Sequence, residues 1–161
     1  MNAALITATL LGVTGLAYSV VTGFMVAAPA DIGPHVTLAI FSTLITLLAH
    51  SMTMFYLIGK GKAIREAVTD GGLPDEIYRE VARARRPVFS IGTMAMGVTM
   101  LTAILGGAVD TNVLPMGVHS VAAVTTIGAN IFAFRVELVA LLLASETVTK
   151  VNELLAQSKN D

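Results

Sequence analysis

Charge in this chain is confined to a few places. Seven of its ten lysines and arginines fall between Lys60 and Arg86, and no charged residue occurs from Asn2 to Ala28. An uncharged run of that length, wound as a helix rising about 1.5 Å per residue, covers a hydrocarbon core about 30 Å thick. A second stretch, Val36–Lys62, opens apolar, carries one histidine (His50) and closes in lysines. Chains built this way fold against lipid, because a compact soluble domain of 161 residues cannot hide so much apolar surface. Composition agrees: 13% of residues are charged and 55% hydrophobic, against about 25% charged in an ordinary soluble domain.

Four spans are expected, at about 2–28, 34–59, 87–109 and 113–136. Ala28-Pro29-Ala30 resembles a signal-peptidase site. The first apolar run has no basic flank and is too long for a signal peptide, so it reads as a retained span. Two prolines and a glycine in Pro29–Pro34 predict a tight turn, which makes spans one and two antiparallel neighbours. The basic segment 60–86 belongs on the cytoplasmic side by the positive-inside rule. Both termini then lie in the cytoplasm, and the expected location is a bacterial cytoplasmic membrane. Within that segment, Asp70-Gly71-Gly72 predicts a turn. Pro74–Arg86 predicts a short amphipathic helix at the membrane surface, its basic face on anionic headgroups or simply solvated.

The last span has no natural stop. After Pro115 there is no proline, and after Gly128 no glycine. A continuous helix to Leu155 is about 65 Å long, twice a membrane's thickness. Residues 137–157 therefore form a cytoplasmic extension of the fourth helix, ending in a frayed tail at Ser158–Asp161. Leu138–Ala144 is apolar on that projecting part and needs a cover, either segment 60–86 or a second copy of the chain. The fold class expected is all-α: a single-domain integral membrane four-helix up-down bundle, with a long fourth helix projecting into the cytoplasm.

Three groups of residues bear on chemistry. His35 and His119 sit at matching depth near the outer surface, the one geometry in which two of the three histidines could hold a haem b iron. His50 lies deeper, with Met54 one turn on and Met96 and Met100 at similar depth on span three. An imidazole with thioethers suits Cu(I). Asn130, Arg135 and Glu137 form the third group. Arg135 and Glu137 are two residues apart and do not face each other on a helix, so each needs its own partner. Lys60 at the inner end of span two stands at the right height for an ion-pair collar. The alternative is a proton or ion relay through Glu137 and His50, since an ionisable group inside a bilayer is costly unless paired or used. The plainer account of His50 is a neutral ring bonded to a hydroxyl or carbonyl of a neighbouring helix.

No cysteine is present, which removes disulfides, thiolate metal sites and cysteine nucleophiles. No hydrolase, zincin, phosphate-loop or dinucleotide motif occurs. The expectation is a non-enzymatic structural or accessory subunit of a homo-oligomer or larger membrane complex. Its partners would be the bilayer and other membrane subunits, not nucleic acid, and it would hold no cofactor. Haem or copper redox binding and proton or ion conduction are the alternatives. The purified protein is expected to show no Soret band, whereas an absorbance there would identify His35 and His119 as haem ligands.

Overall fold

The computed structural model describes residues 1–158. The tail expected at Ser158–Asp161 lies, from residue 159 on, outside the described residues. The chain is all-helical: α1 (Asn2–Met25), α2 (Pro29–Asp70), α3 (Glu76–Asp110) and α4 (Met116–Gln157). All four helices are long and apolar enough to cross a membrane.

Each helix runs antiparallel to the next. Gly12 of α1 meets Thr46 of α2, while Gly23 meets His35. Gly92 of α3 meets Met54 of α2, and Thr102 of α3 meets Thr126 of α4. The closest pairs are α1 with α2 and α3 with α4. Of the two diagonals, α2 and α4 touch, whereas α1 and α3 do not among the described residues. The α2–α4 diagonal is therefore the axis of the bundle.

The turns follow from their sequences. Residues 29–34 are not a loop: α2 begins at Pro29, and Pro34 lies inside it. A proline at the first helical position loses an N–H that would have had no partner anyway. The Asp31 carboxylate then accepts from the Ala27 and Ala28 N–H groups, 3.1 and 3.0 Å away, which fixes the helix start. At the other end of α2, Gly72 takes φ +63°. Gly72 N–H donates to Thr69 O and Leu73 N–H to Val68 O, so the glycine closes a Schellman cap. Asn112, at φ +58°, does the same after α3, with Val113 N–H donating to Ala108 O.

Segment 60–86 matches expectation in its first half, where the helix of span two runs on and a turn follows Asp70, and differs in its second. Lys60–Asp70 continues α2 and Glu76–Arg86 begins α3, so only residues 71–75 form a connection. The basic part of α3 is no separate surface helix, because the helix passes straight through Pro87. Packing explains this. Val81 and Val88, on either side of that proline, are both buried in one apolar cluster with Ile64, Val68, Ile77, Ala140, Leu141, Ala144 and Val151. The same cluster covers Ala140, Leu141 and Ala144 of the apolar run of α4 with the chain's own α2 and α3, while Val139 and Leu142 stay exposed.

The rest of the bundle is turned inside out relative to a soluble protein. Phe41, Leu44, Leu48, Phe55, Ile104, Val121, Phe132 and Val139 point outward. Thr9, Ser19, Ser42, Thr46, His50, Thr53, Thr99, Thr126, Asn130 and Glu137 point inward. Small residues let the backbones approach. A Cβ on Gly12 would lie 2.6 Å from Thr46 Oγ1 and 2.9 Å from Thr46 Cα, whereas one on Gly33 would meet nothing within 4 Å. Gly12→Ala is therefore expected to cost about 1–3 kcal/mol through overpacking. Gly33→Ala should be neutral or stabilising by about 0.5–1 kcal/mol. Reversible unfolding in detergent compares the two variants; equal stabilities would contradict the close α1–α2 approach.

Candidate functional site

His50 on α2 faces α4, where Asn130 and Glu137 stand two turns apart on one face. Ala133 and Ala140 flank them on that face, and Ala95 and Gly92 line the facing side of α3; all four are buried. Their small side chains let three helices converge on one imidazole. His50 and Asn130 are 0% exposed and Glu137 is 1% exposed. Among the described residues, no other fully buried side chain is titratable.

Both ring nitrogens of His50 are engaged. Nδ1 lies 2.6 Å from Glu137 Oε1, and Nε2 lies 2.9 Å from Asn130 Oδ1. Asn130 is itself oriented from behind: its Nδ2 donates to Thr126 O and to Thr99 Oγ1, each at 2.8 Å. A carbonyl only accepts, so the amide nitrogen must point at Thr126 O and the amide oxygen at His50. Nε2 therefore carries a hydrogen. Thr99 in turn donates to Ala95 O at 2.7 Å, which leaves its oxygen free to accept.

This chain of donors fixes the proton count. If Glu137 is a carboxylate, Nδ1 must donate and the ring is an imidazolium. If the ring is neutral, its hydrogen is on Nε2, Nδ1 is a lone pair, and Glu137 must donate. Either way one proton occupies the 2.6 Å contact and the pair is neutral overall. A neutral pair is what a low-dielectric interior tolerates, since an isolated charge there is strongly disfavoured. Adding or removing one proton leaves a net charge in the core. The second carboxylate oxygen, Glu137 Oε2, is buried with no hydrogen-bond partner, and so is Thr53 Oγ1.

The remaining candidates fall elsewhere. Lys60 lies over the Tyr56 ring at 5.9 Å, and Glu137 turns inward to His50. Arg135, two residues before Glu137, is exposed on the opposite side of α4. Of the Cu(I) set, Met54 packs on Gly92, Met96 Sδ accepts from Ser51 Oγ at 3.6 Å, and Met100 is 51% exposed. Neither His50 nitrogen has a lone pair free for a metal while both bonds stand. His35 rests on Gly23 of α1, with Nδ1 3.4 Å from Thr22 Oγ1. His119 rests on Gly106 of α3, and its Nδ1 is buried without a partner. The two imidazoles are thus held by different neighbours.

Comparison with protein-family models, with curated proteins and with solved structures returned no match.

Removing one member of the pair strands the other. His50→Ala should cost about 3–5 kcal/mol, the scale for breaking a buried pair. His50→Ala with Glu137→Ala should cost clearly less than the sum of the single changes. Additive costs in a denaturant-based double-mutant cycle would mean that the contact carries no coupling.

Proposed function

We propose that this chain is an integral membrane protein that moves protons, with the His50–Glu137 pair holding the proton inside the bilayer. The observation that carries the proposal is the 2.6 Å contact between the two, buried between α2 and α4. Four helices of sufficient length and apolarity, with an apolar outside and a hydroxyl-rich inside, support placement in a membrane. In the orientation favoured by the basic residues, the 71–75 turn is cytoplasmic and both termini face the same side. The ends of α2, α3 and α4 then project as a three-helix stalk. Asn2 Nδ2 donates to Leu141 O, 3.3 Å away, and just past that level the outward residues change from apolar Val139 and Leu142 to charged Glu146, which supports an inner membrane edge there. His50 bonds Glu137 and Asn130, four and eleven residues before Leu141, so it lies about 6–16 Å inside that edge.

At that depth an ionisable pair has two uses: to lock helices together, or to take up and release a proton. A lock alone needs no carboxylate, because an amide at position 137 could bond His50 equally well. A carboxylate adds one capacity, exchange of a proton at its second oxygen. Leu57, Val88, Ala140 and Leu141 pack as an apolar layer on the inner side of the pair, so this conformation is closed toward the cytoplasm. Copper draws less support, because both His50 nitrogens are engaged; the haem alternative keeps His35 and His119 close enough for charge on one to act on the other.

The accessory-subunit reading retains one support. Arg135 faces outward beside Phe132, Val139 and Leu142, all exposed. An arginine there calls for a lipid phosphate or a neighbour's carboxylate. Ala140, Leu141 and Ala144 of the Leu138–Ala144 run are buried within the chain, while Val139 and Leu142 stay exposed to lipid or a second copy.

Proteoliposomes containing a pH-sensitive dye test the proposal. An imposed potential should drive proton flux through the native protein, and Glu137→Gln should reduce it by about 100-fold or more, within the usual contribution of a proton-transferring group. Equal flux in native and Glu137→Gln proteins, both at the empty-liposome level, would contradict it.

A further inference from the structure

We infer that protons reach the pair at Glu137 Oε2 past the Thr53 hydroxyl, along the α1–α2 seam, and not through Asn130. This rests on the proton-handling reading of the His50–Glu137 pair. The pair has two possible exits. One runs from Nε2 to Asn130, whose amide orientation is locked by Thr126 O and Thr99 Oγ1. A carboxamide does not gain or lose a proton under ordinary conditions, so that exit holds the ring and conducts nothing. The other exit is Oε2, the one carboxylate atom not already bonded.

Thr53 is placed to serve it. It lies three residues after His50 on α2, on the same face and about 5–6 Å away between Cβ atoms. It is 0% exposed, and its Oγ1 has no partner. Other buried threonines point their hydroxyls at their own helix: Thr9 donates to Leu5 O, Thr46 to Ser42 O and Thr99 to Ala95 O. Thr53 makes no such bond. Both atoms are buried without a partner on two helices in contact, and a water between them would satisfy both. From Thr53 the seam continues outward through buried Thr9, Thr46, Ser42 and Ser19, roughly one turn apart. Gly12 against Thr46 and Gly15 against Ser42 keep the two helices close along it.

The step conserves atoms and charge. A proton arriving along the seam makes the bridging water a hydronium, and the water hands one of its protons to Oε2. Neutral water remains, with one added positive charge on the pair. Release to the same side reverses the transfer; release to the other side requires the apolar layer of Leu57, Val88, Ala140 and Leu141 to part. No oxidant or cofactor takes part. Thr53 is a positioning residue: it holds the water and is not consumed.

Infrared difference spectroscopy of the purified full-length protein, recorded on a pH jump, reads Glu137 directly. A protonated-carboxyl band should appear in the native protein and be absent in Glu137→Gln. A jump from H2O into D2O then times exchange at that band. Thr53→Val, nearly isosteric, should slow exchange about tenfold, the rate equivalent of one lost hydrogen bond of about 1.4 kcal/mol. Thr53→Ser should restore it. Thr125→Val, the same change at an exposed threonine of α4, should in contrast leave the rate within about twofold, a change worth under 1 kcal/mol. A native band with unchanged exchange in Thr53→Val overturns this route. No band that depends on Glu137 overturns the proton-handling reading itself. If Thr53→Val fails to fold, exchange in Thr53→Ala and Thr46→Val decides, and native rates in both again overturn the route.

Discussion

One proton shared between two buried side chains governs the architecture around it. An imidazole and a carboxylate cannot both enter a low-dielectric interior as separate charges, and they cannot meet at 2.6 Å without a hydrogen between them. The bundle meets both conditions by bringing α2 and α4 together across its diagonal. Around that contact, Ala49, Ala95, Ala133 and Gly92 keep side chains small enough for the backbones to close. The hydroxyl of Thr99 and the carbonyl of Thr126 orient Asn130, and Asn130 orients the ring. The proton's position is thus decided by groups that do not touch it.

The chain carries two burial patterns. Along most of the bundle the outward residues are apolar and the inward ones polar, as expected where lipid replaces water. Past Leu141, where α1 has ended, the order reverses. Ile64, Val68, Ile77, Val81, Ala144 and Val151 turn inward, and Arg65, Glu66, Arg79, Glu80, Glu146 and Lys150 turn outward. That is the burial order of an ordinary water-exposed helix bundle, continuous with the membrane-like part. The apolar cluster spanning the change, from Leu5 and Leu57 to Val88 and Leu141, ties the two regimes together. It also separates the His50–Glu137 pair from the basic end.

Much of this was legible in the sequence. Uncharged runs bounded by proline, glycine and charge give four helices, because length and hydropathy are local properties. The depth of His50 singled it out on the same grounds. Its partner was harder to see. Glu137 follows Arg135, and the first charge after an apolar run reads as the membrane edge, so Glu137 reads first as a collar partner of Lys60 and only as the alternative as a relay with His50. Yet the two residues are about 200° apart on a helix. Arg135 faces outward while Glu137 faces the core, and the outward residues stay apolar further on, at Val139 and Leu142. A usable signal was present: Asn130 and Glu137 are seven apart, on one face with Ala133, Ala140 and Ala144. The continuity of α3 through Pro87 had no local signal at all, because it depends on packing across three helices. The start of α2 at Pro29 depended on the capping role of Asp31, one residue in an apparent loop.

Nitrogen-15 resonance of the His50 ring in lipid tests the central contact most directly. The account predicts that Nε2 carries a hydrogen across the accessible pH range. It also predicts that Nδ1 has the shift of a short, shared hydrogen bond, which moves to an ordinary value in Glu137→Gln. A bare Nε2, or an Nδ1 shift indifferent to Glu137→Gln, would contradict the proton assignment on which the whole account rests.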